Sequence, residues 1–155
     1  MNIGGLLEGW FWTPVGMAVL CGGILGLERQ LRGKPAGIRT SILICLGTVV
    51  FIRFGALISG DDGDPARTLG QVVNGIGFLG AGVIFAEQGL VKGMTSAAVI
   101  WILAGIGVAI GVGYYAQAVA LTLTATAVLL GVQRLEHTFR QLRRGVHADD
   151  DKPLS

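Results

Sequence analysis

Residues 26–40 read GLERQLRGKPAGIRT, a charged stretch broken by Gly and Pro, with a long apolar run on either side. Arg29, Arg32, Lys34 and Arg39 stand in it against one acid, Glu28. Short loops rich in Lys and Arg stay on the cytoplasmic side of a membrane, so this segment sets the inner face and the orientation of everything around it. Gly33, Pro35 and Gly37 supply turn chemistry, which predicts a rigid reversal.

Composition supports the membrane reading. Of the 155 residues, 52% are hydrophobic and 14% charged, with a mean hydropathy of +0.65, whereas soluble domains carry about 25% charged residues. The charges gather in loops. Between them lie apolar runs at about 10–27, 40–59, 69–86, 94–112 and 114–133, each near the ~20 residues that cross a hydrocarbon core. The fold class expected is an all-α membrane protein, a compact bundle of five spans. Arg29, Arg32, Lys34, Arg39, Lys92, Arg134, Arg140, Arg143, Arg144 and Lys152 then fall inside and Arg67 outside. This places the N-terminus out and the C-terminus in.

Residues 1–133 form the membrane domain on this reading, 134–147 a basic juxtamembrane helix drawn to anionic lipid, and 148–155 a disordered acidic tail. The first ten residues lack a positive n-region and carry Glu8, so the first run is expected to stay as an anchor. Glycine is abundant at 26 residues, well above the usual ~7%. That density argues for close helix packing, with Gly22 and Gly26 forming a small-xxx-small pair.

Several polar residues stand out against this background. Glu28 has two readings: an interfacial carboxylate paired with Arg29, Arg32 or Arg39, or one half of a Glu28–Arg39 couple that forms a fixed pair across the loop or binds an ion or headgroup. Arg53 also has two, either snorkelling to the outer headgroups or joining Gln71, Asn74 and Gln117 in an outer-leaflet polar layer. Thr95 and Ser96 are capping candidates for the fourth span. Gly75, Gly77 and Gly80 spell GxGxxG, but without a preceding strand this is no dinucleotide site. Those glycines predict a groove for a neighbouring helix and a bend or locally unwound turn near Gly77.

Other chemistry is poorly represented. Asp61, Asp62 and Asp64 suit hard cations but lack ordered ligand spacing, so the loop reads as a solvated turn and the metal question stays open. Cys21 and Cys45 sit mid-span, where a thiol is packing rather than chemistry. His137 and His147 are isolated. No nucleophile–base constellation is visible, so no catalytic residue and no cofactor are expected, and no nucleic-acid partner.

The segments GLERQLRGKPAGIRT (26–40), NGIGFLGAGVIF (74–85), VKGMTSAAVIW (91–101) and AGIGVAIGVGYY (104–115) occur in an order that resembles the MgtC/SapB membrane proteins. The resemblance covers about residues 15–133. It implies a multi-pass bacterial inner-membrane protein associated with magnesium limitation and, in some members, virulence. It carries over Glu28, Arg29, Arg39 and Thr40, then Asn74, Gly75, Gly77, Gly80, Thr95 and Trp101 as candidate functional positions; Arg53 joins them from its depth alone. Longer members add a soluble ACT-like module, and this chain is similar to the short form. The function expected is non-enzymatic: regulation of other inner-membrane proteins by a lipid-embedded homo-oligomer, taken as a dimer. The alternative is a transporter of magnesium, another ion or a small solute.

Overall fold

Turn chemistry punctuates the apolar runs and fixes where each helix stops. In the computed structural model, residues 9–60, 64–87 and 90–138 are described. The elements are α1 (Gly9–Leu31), α2 (Ile38–Ser59), α3 (Pro65–Ala81), β1 (Phe85–Glu87), β2 (Leu90–Lys92), α4 (Met94–Gly111) and α5 (Tyr115–Thr138). Helix α1 ends where Gly33 takes φ +61° and the amides of Gly33 and Lys34 donate back to the carbonyls of Gln30 and Arg29. Helix α4 ends in the same way, with Gly113 at φ +92° and the amides of Gly113 and Tyr114 bonded to Ile110 and Ala109. Both are Schellman closures, which satisfy carbonyls that a helix end otherwise leaves bare.

Helix α4 is the hub and packs against all four other helices. Its buried Val99, Leu103, Ile106 and Ile110 meet Ala18, Cys21 and Leu25 of α1 and Ile44, Cys45 and Val49 of α2. Glycine sets how closely the helices approach. A Cβ on Gly26 would lie 2.6 Å from the Ile38 Cα, and one on Gly22 would lie 2.8 Å from the Ser41 carbonyl oxygen. Gly107 and Gly111 of α4 do the same against Thr48 and Ile52 of α2. The first pair was legible as a small-xxx-small motif; the second repeats that spacing and was not singled out. Both cysteines are buried and unbridged, and the Cys45 thiol donates to the Leu103 carbonyl.

Four helices are long and apolar enough to cross a membrane, over Phe11–Leu31, Ile38–Ile58, Met94–Gly111 and Tyr115–Val132. The expected third span differs. Instead of 69–86, α3 covers Pro65–Ala81, 17 residues that rise only about 25 Å. It starts earlier because Pro65 occupies the first helical position and the Asp64 carboxylate caps it, accepting from the Ala66 amide at 2.9 Å, a favoured pairing of residue types at a helix start. It stops earlier because residues 85–87 pair with 90–92 as an antiparallel hairpin, Phe85 opposite Lys92. The backbone groups of Phe85 and Ala86, expected in a helix, are thus satisfied in strands.

Helix α3 still runs from one end of the bundle to the other. Gly55, near the end of α2, meets Thr68, and Gly80 meets Ala97, near the start of α4. The α1–α2 turn, the hairpin and the start of α4 therefore share one end, and the start of α3 shares the other with the α4–α5 turn. The helix is not unwound at Gly77, since α3 is continuous through Ala81. Glycine costs a helix about 1 kcal/mol per residue, and seating Val72 and Ile76 between α2 and α4 outweighs that. Residue 134 continues α5 rather than opening a new element. The remainder of the expected basic helix from 139, the tail 148–155, and Asp61 and Asp62 lie outside the described residues.

Candidate functional site

The end of the bundle that carries the α1–α2 turn holds a polar knot. Arg29 is 3% exposed, on the last turn of α1. Its Nε and Nη2 donate to the Pro35 carbonyl at 3.3 and 3.2 Å, and Nη2 also donates to Ser96 Oγ of α4. One guanidinium thus ties together α1, the turn and the hub helix. Ala36, at φ +59°, turns its carbonyl to accept from the fully buried Ser41 hydroxyl. The Gln30 side chain accepts from the Ile38 amide at 3.2 Å, capping α2 in place of Gly37, which has no side chain to offer.

Glu28 is also buried, at 9% exposure, and pairs with Arg32 at 2.5 Å, one turn along α1. A Glu placed four residues before its cationic partner is the favoured order on a helix. The expected Glu28–Arg39 pair does not form. Arg39 is exposed on the first turn of α2, and the nearer Arg32 reaches the carboxylate within one helix. Glu28 Oε2 is buried without a hydrogen-bond partner. Thr95 is exposed and caps nothing, because Gly93 occupies the N-cap of α4. Gly93 sits at φ +92°, where a Cβ would fall 1.9 Å from the Val83 carbonyl oxygen, so hairpin and helix meet through it. Ser96, expected as a cap, is instead a partner of Arg29.

The other candidate residues lie away from the knot. Arg53 is half-buried near the opposite end, and its Nη2 donates to the Tyr115 hydroxyl at 3.4 Å. It borders a groove with Phe11, Pro14 and Val112, while Gln71 lines a different cleft and Asn74 and Gln117 are exposed. The outer-leaflet polar layer is therefore not assembled, because Arg53 and Gln71 occupy separate grooves. Trp101 is exposed and borders a shallow hollow between α3 and α4. Of the GxGxxG glycines, Gly80 abuts Ala97, while a Cβ on Gly75 or Gly77 would touch nothing within 4 Å. Among the described residues, Gly80 is the one of these three glycines that meets another helix.

Thr40 and Gly75 both line a larger feature, a cleft of about 680 Å³ between α2 and α3. Its α2 wall runs from Thr40 to Phe51 and its α3 wall from Thr68 to Leu79. Among the described residues no cluster of His, Cys, Asp and Glu could hold a metal ion.

This arrangement defines a class: a multi-pass helical membrane protein in which a buried Arg ties α1, the α1–α2 turn and α4 together at one end of the bundle. The chain belongs to the MgtC family, whose model matches residues 15–138. It is 43% identical to Protein MgtC of Brucella abortus, with 63% of this chain and 43% of that protein aligned. It is 48% identical to Protein MgtC of Salmonella typhimurium, over 59% of this chain and 38% of that protein. The chain thus aligns with about two fifths of the length of these relatives. No solved structure shows a significant match.

Proposed function

We propose that this protein is a non-enzymatic component of the bacterial inner membrane that binds and regulates other membrane proteins, in the setting of magnesium limitation or host-associated stress. On this reading it works as a homo-oligomer, taken as a dimer, with the Arg29 knot on the cytoplasmic side. The observation that supports this most directly is the outward face of α3. Gly70, Asn74 and Gly77 are exposed there, and the two glycines have open space where a Cβ would sit. Small and amide side chains are what helices use to associate in lipid, where bulk apolarity gives no preference for protein over acyl chains.

Crosslinking in native membranes followed by purification tests this. Gly77→Ile should leave the folded chain intact and deplete both its self-crosslinked form and its captured membrane partners. An unchanged crosslinking pattern would count against the proposal. Transport is the weaker alternative, since the described buried acid, Glu28, lies at a bundle end and is paired with Arg32, whereas a Mg²⁺ site generally recruits one or two carboxylates with retained waters. Magnesium flux into proteoliposomes containing this protein alone would reverse that ranking.

A further inference from the structure

The α2/α3 cleft has a size, length and charge that favour one occupant. Its lining is apolar along Leu43, Ile44, Phe51, Val72, Ile76 and Leu79. Gly47 and Gly75 lie on opposite walls, and a Cβ on either would meet nothing within 4 Å. From Thr40 to Phe51 the wall rises about 16 Å, close to half of the ~30 Å hydrocarbon core. The cleft is therefore one leaflet deep. Its volume of about 680 Å³ falls within the range of small-ligand sites, roughly 300–1,000 Å³.

The end of the cleft at Thr40 offers a cation and backbone donors. It coincides with the N-terminus of α2, where the Arg39 and Thr40 amides have no intrahelical acceptor and the helix dipole favours an anion. Arg39 stands one turn below Leu43 at the cleft's edge. Its side chain is exposed and bonded to no other described residue.

We propose that the α2/α3 cleft holds one acyl chain of an anionic phospholipid, with its phosphate at Arg39, Thr40 and the first turn of α2. This rests on the membrane placement of the chain but not on its regulatory role. Loss of partners with Gly77→Ile and loss of lipid in the test below are separate outcomes.

Native mass spectrometry of the full chain, released from mild detergent after equilibration with phosphatidylglycerol or phosphatidylcholine, tests the proposal. Wild type should retain one phosphatidylglycerol in preference to phosphatidylcholine. Arg39→Gln should lower that retention about fivefold, the effect of one cationic side chain at a lipid surface. Gly75→Leu should fill the cleft and abolish retention of the bound lipid, whereas Gly131→Leu, at another open glycine, should not. Circular dichroism confirms that each variant is folded, and Arg39→Gln, a change at an exposed side chain, carries the test if Gly75→Leu misfolds. Equal retention of both lipids by wild type, or retention unaffected by Arg39→Gln, would overturn the proposal. So would a Gly75→Leu chain that keeps its lipid but loses a second copy of itself, since the cleft would then be an interface between copies.

Discussion

Arg29 shows how a charge can be kept at the end of a membrane bundle. A buried charge is costly unless it is paired and hydrogen-bonded, and Arg29 has both the Pro35 carbonyl and Ser96 Oγ as acceptors. A guanidinium suits this position because its planar fork reaches two acceptors on different elements, which a lysine ammonium on its flexible stem does not match. Ser96→Ala should lower stability by about 1.5–3 kcal/mol, the range for hydrogen bonds to charged groups. Arg29→Lys should cost at least as much, since one donor then serves two sites. Unfolding in mixed micelles, followed by helical ellipticity, measures both; equal stability of all three chains would show that the knot contributes nothing. Glu28 and Arg29 were legible in the sequence as charges at a span end. The pairing of Glu28 with Arg32 was one of the expected ones, since an i,i+4 pair is local to the helix. The partner of Arg29 was not legible, because Ser96 is 67 residues further along the chain and no local pattern links them.

At the scale of elements, glycine takes two distinct roles that composition alone does not separate. Gly22, Gly26, Gly107 and Gly111 lie where helices touch backbone to backbone or backbone to side chain, while Gly70, Gly77 and Gly131 face open space. Substitution should divide them. Gly26→Ala places a methyl 2.6 Å from the Ile38 Cα and must push α1 and α2 apart, at a cost of about 1–3 kcal/mol for an overpacked contact. Gly77→Ala should be neutral or stabilising by up to about 1 kcal/mol, because alanine is the better helix former. The same micelle unfolding reads both, and equal losses at the two sites would mean that the α1–α2 approach is not close. Four of the five expected helices were legible to within a few residues from hydropathy and turn residues. The third was misplaced at both ends, since the apolar run Val83–Ala86 has no feature that distinguishes a spanning helix from a short strand. Its pairing with Leu90–Lys92 is a tertiary choice, helped by Gly93 at a backbone angle that other residues rarely adopt.

At the scale of the whole molecule, the contacts place the basic turn, the hairpin and the start of α4 at one end, but they do not orient that end in a bilayer. The expected orientation comes from charge. The knot end carries Arg32, Lys34, Arg39 and Lys92, and Arg134 lies far along α5, which starts at the opposite end; by the positive-inside rule such an end is expected in the cytoplasm. Helix α3 bears on that expectation. With 17 residues it falls a few ångströms short of the hydrocarbon thickness, and if it did not cross, the two ends of the chain would no longer lie on opposite faces. The closeness of Gly55 to Thr68 and of Gly80 to Ala97 favours a crossing, with the bilayer thinned locally at fractions of a kcal/mol per ångström of mismatch. Single thiols decide the matter. In a chain with both native cysteines replaced by alanine, Lys34→Cys should be shielded from an impermeant maleimide in intact cells, and Tyr114→Cys should react. A third probe, Val91→Cys in the hairpin, isolates α3: shielding there together with Lys34→Cys means that α3 crosses. Labelling of Val91→Cys from outside would mean that α3 turns back within the membrane, and the α2/α3 cleft would then open to a different leaflet.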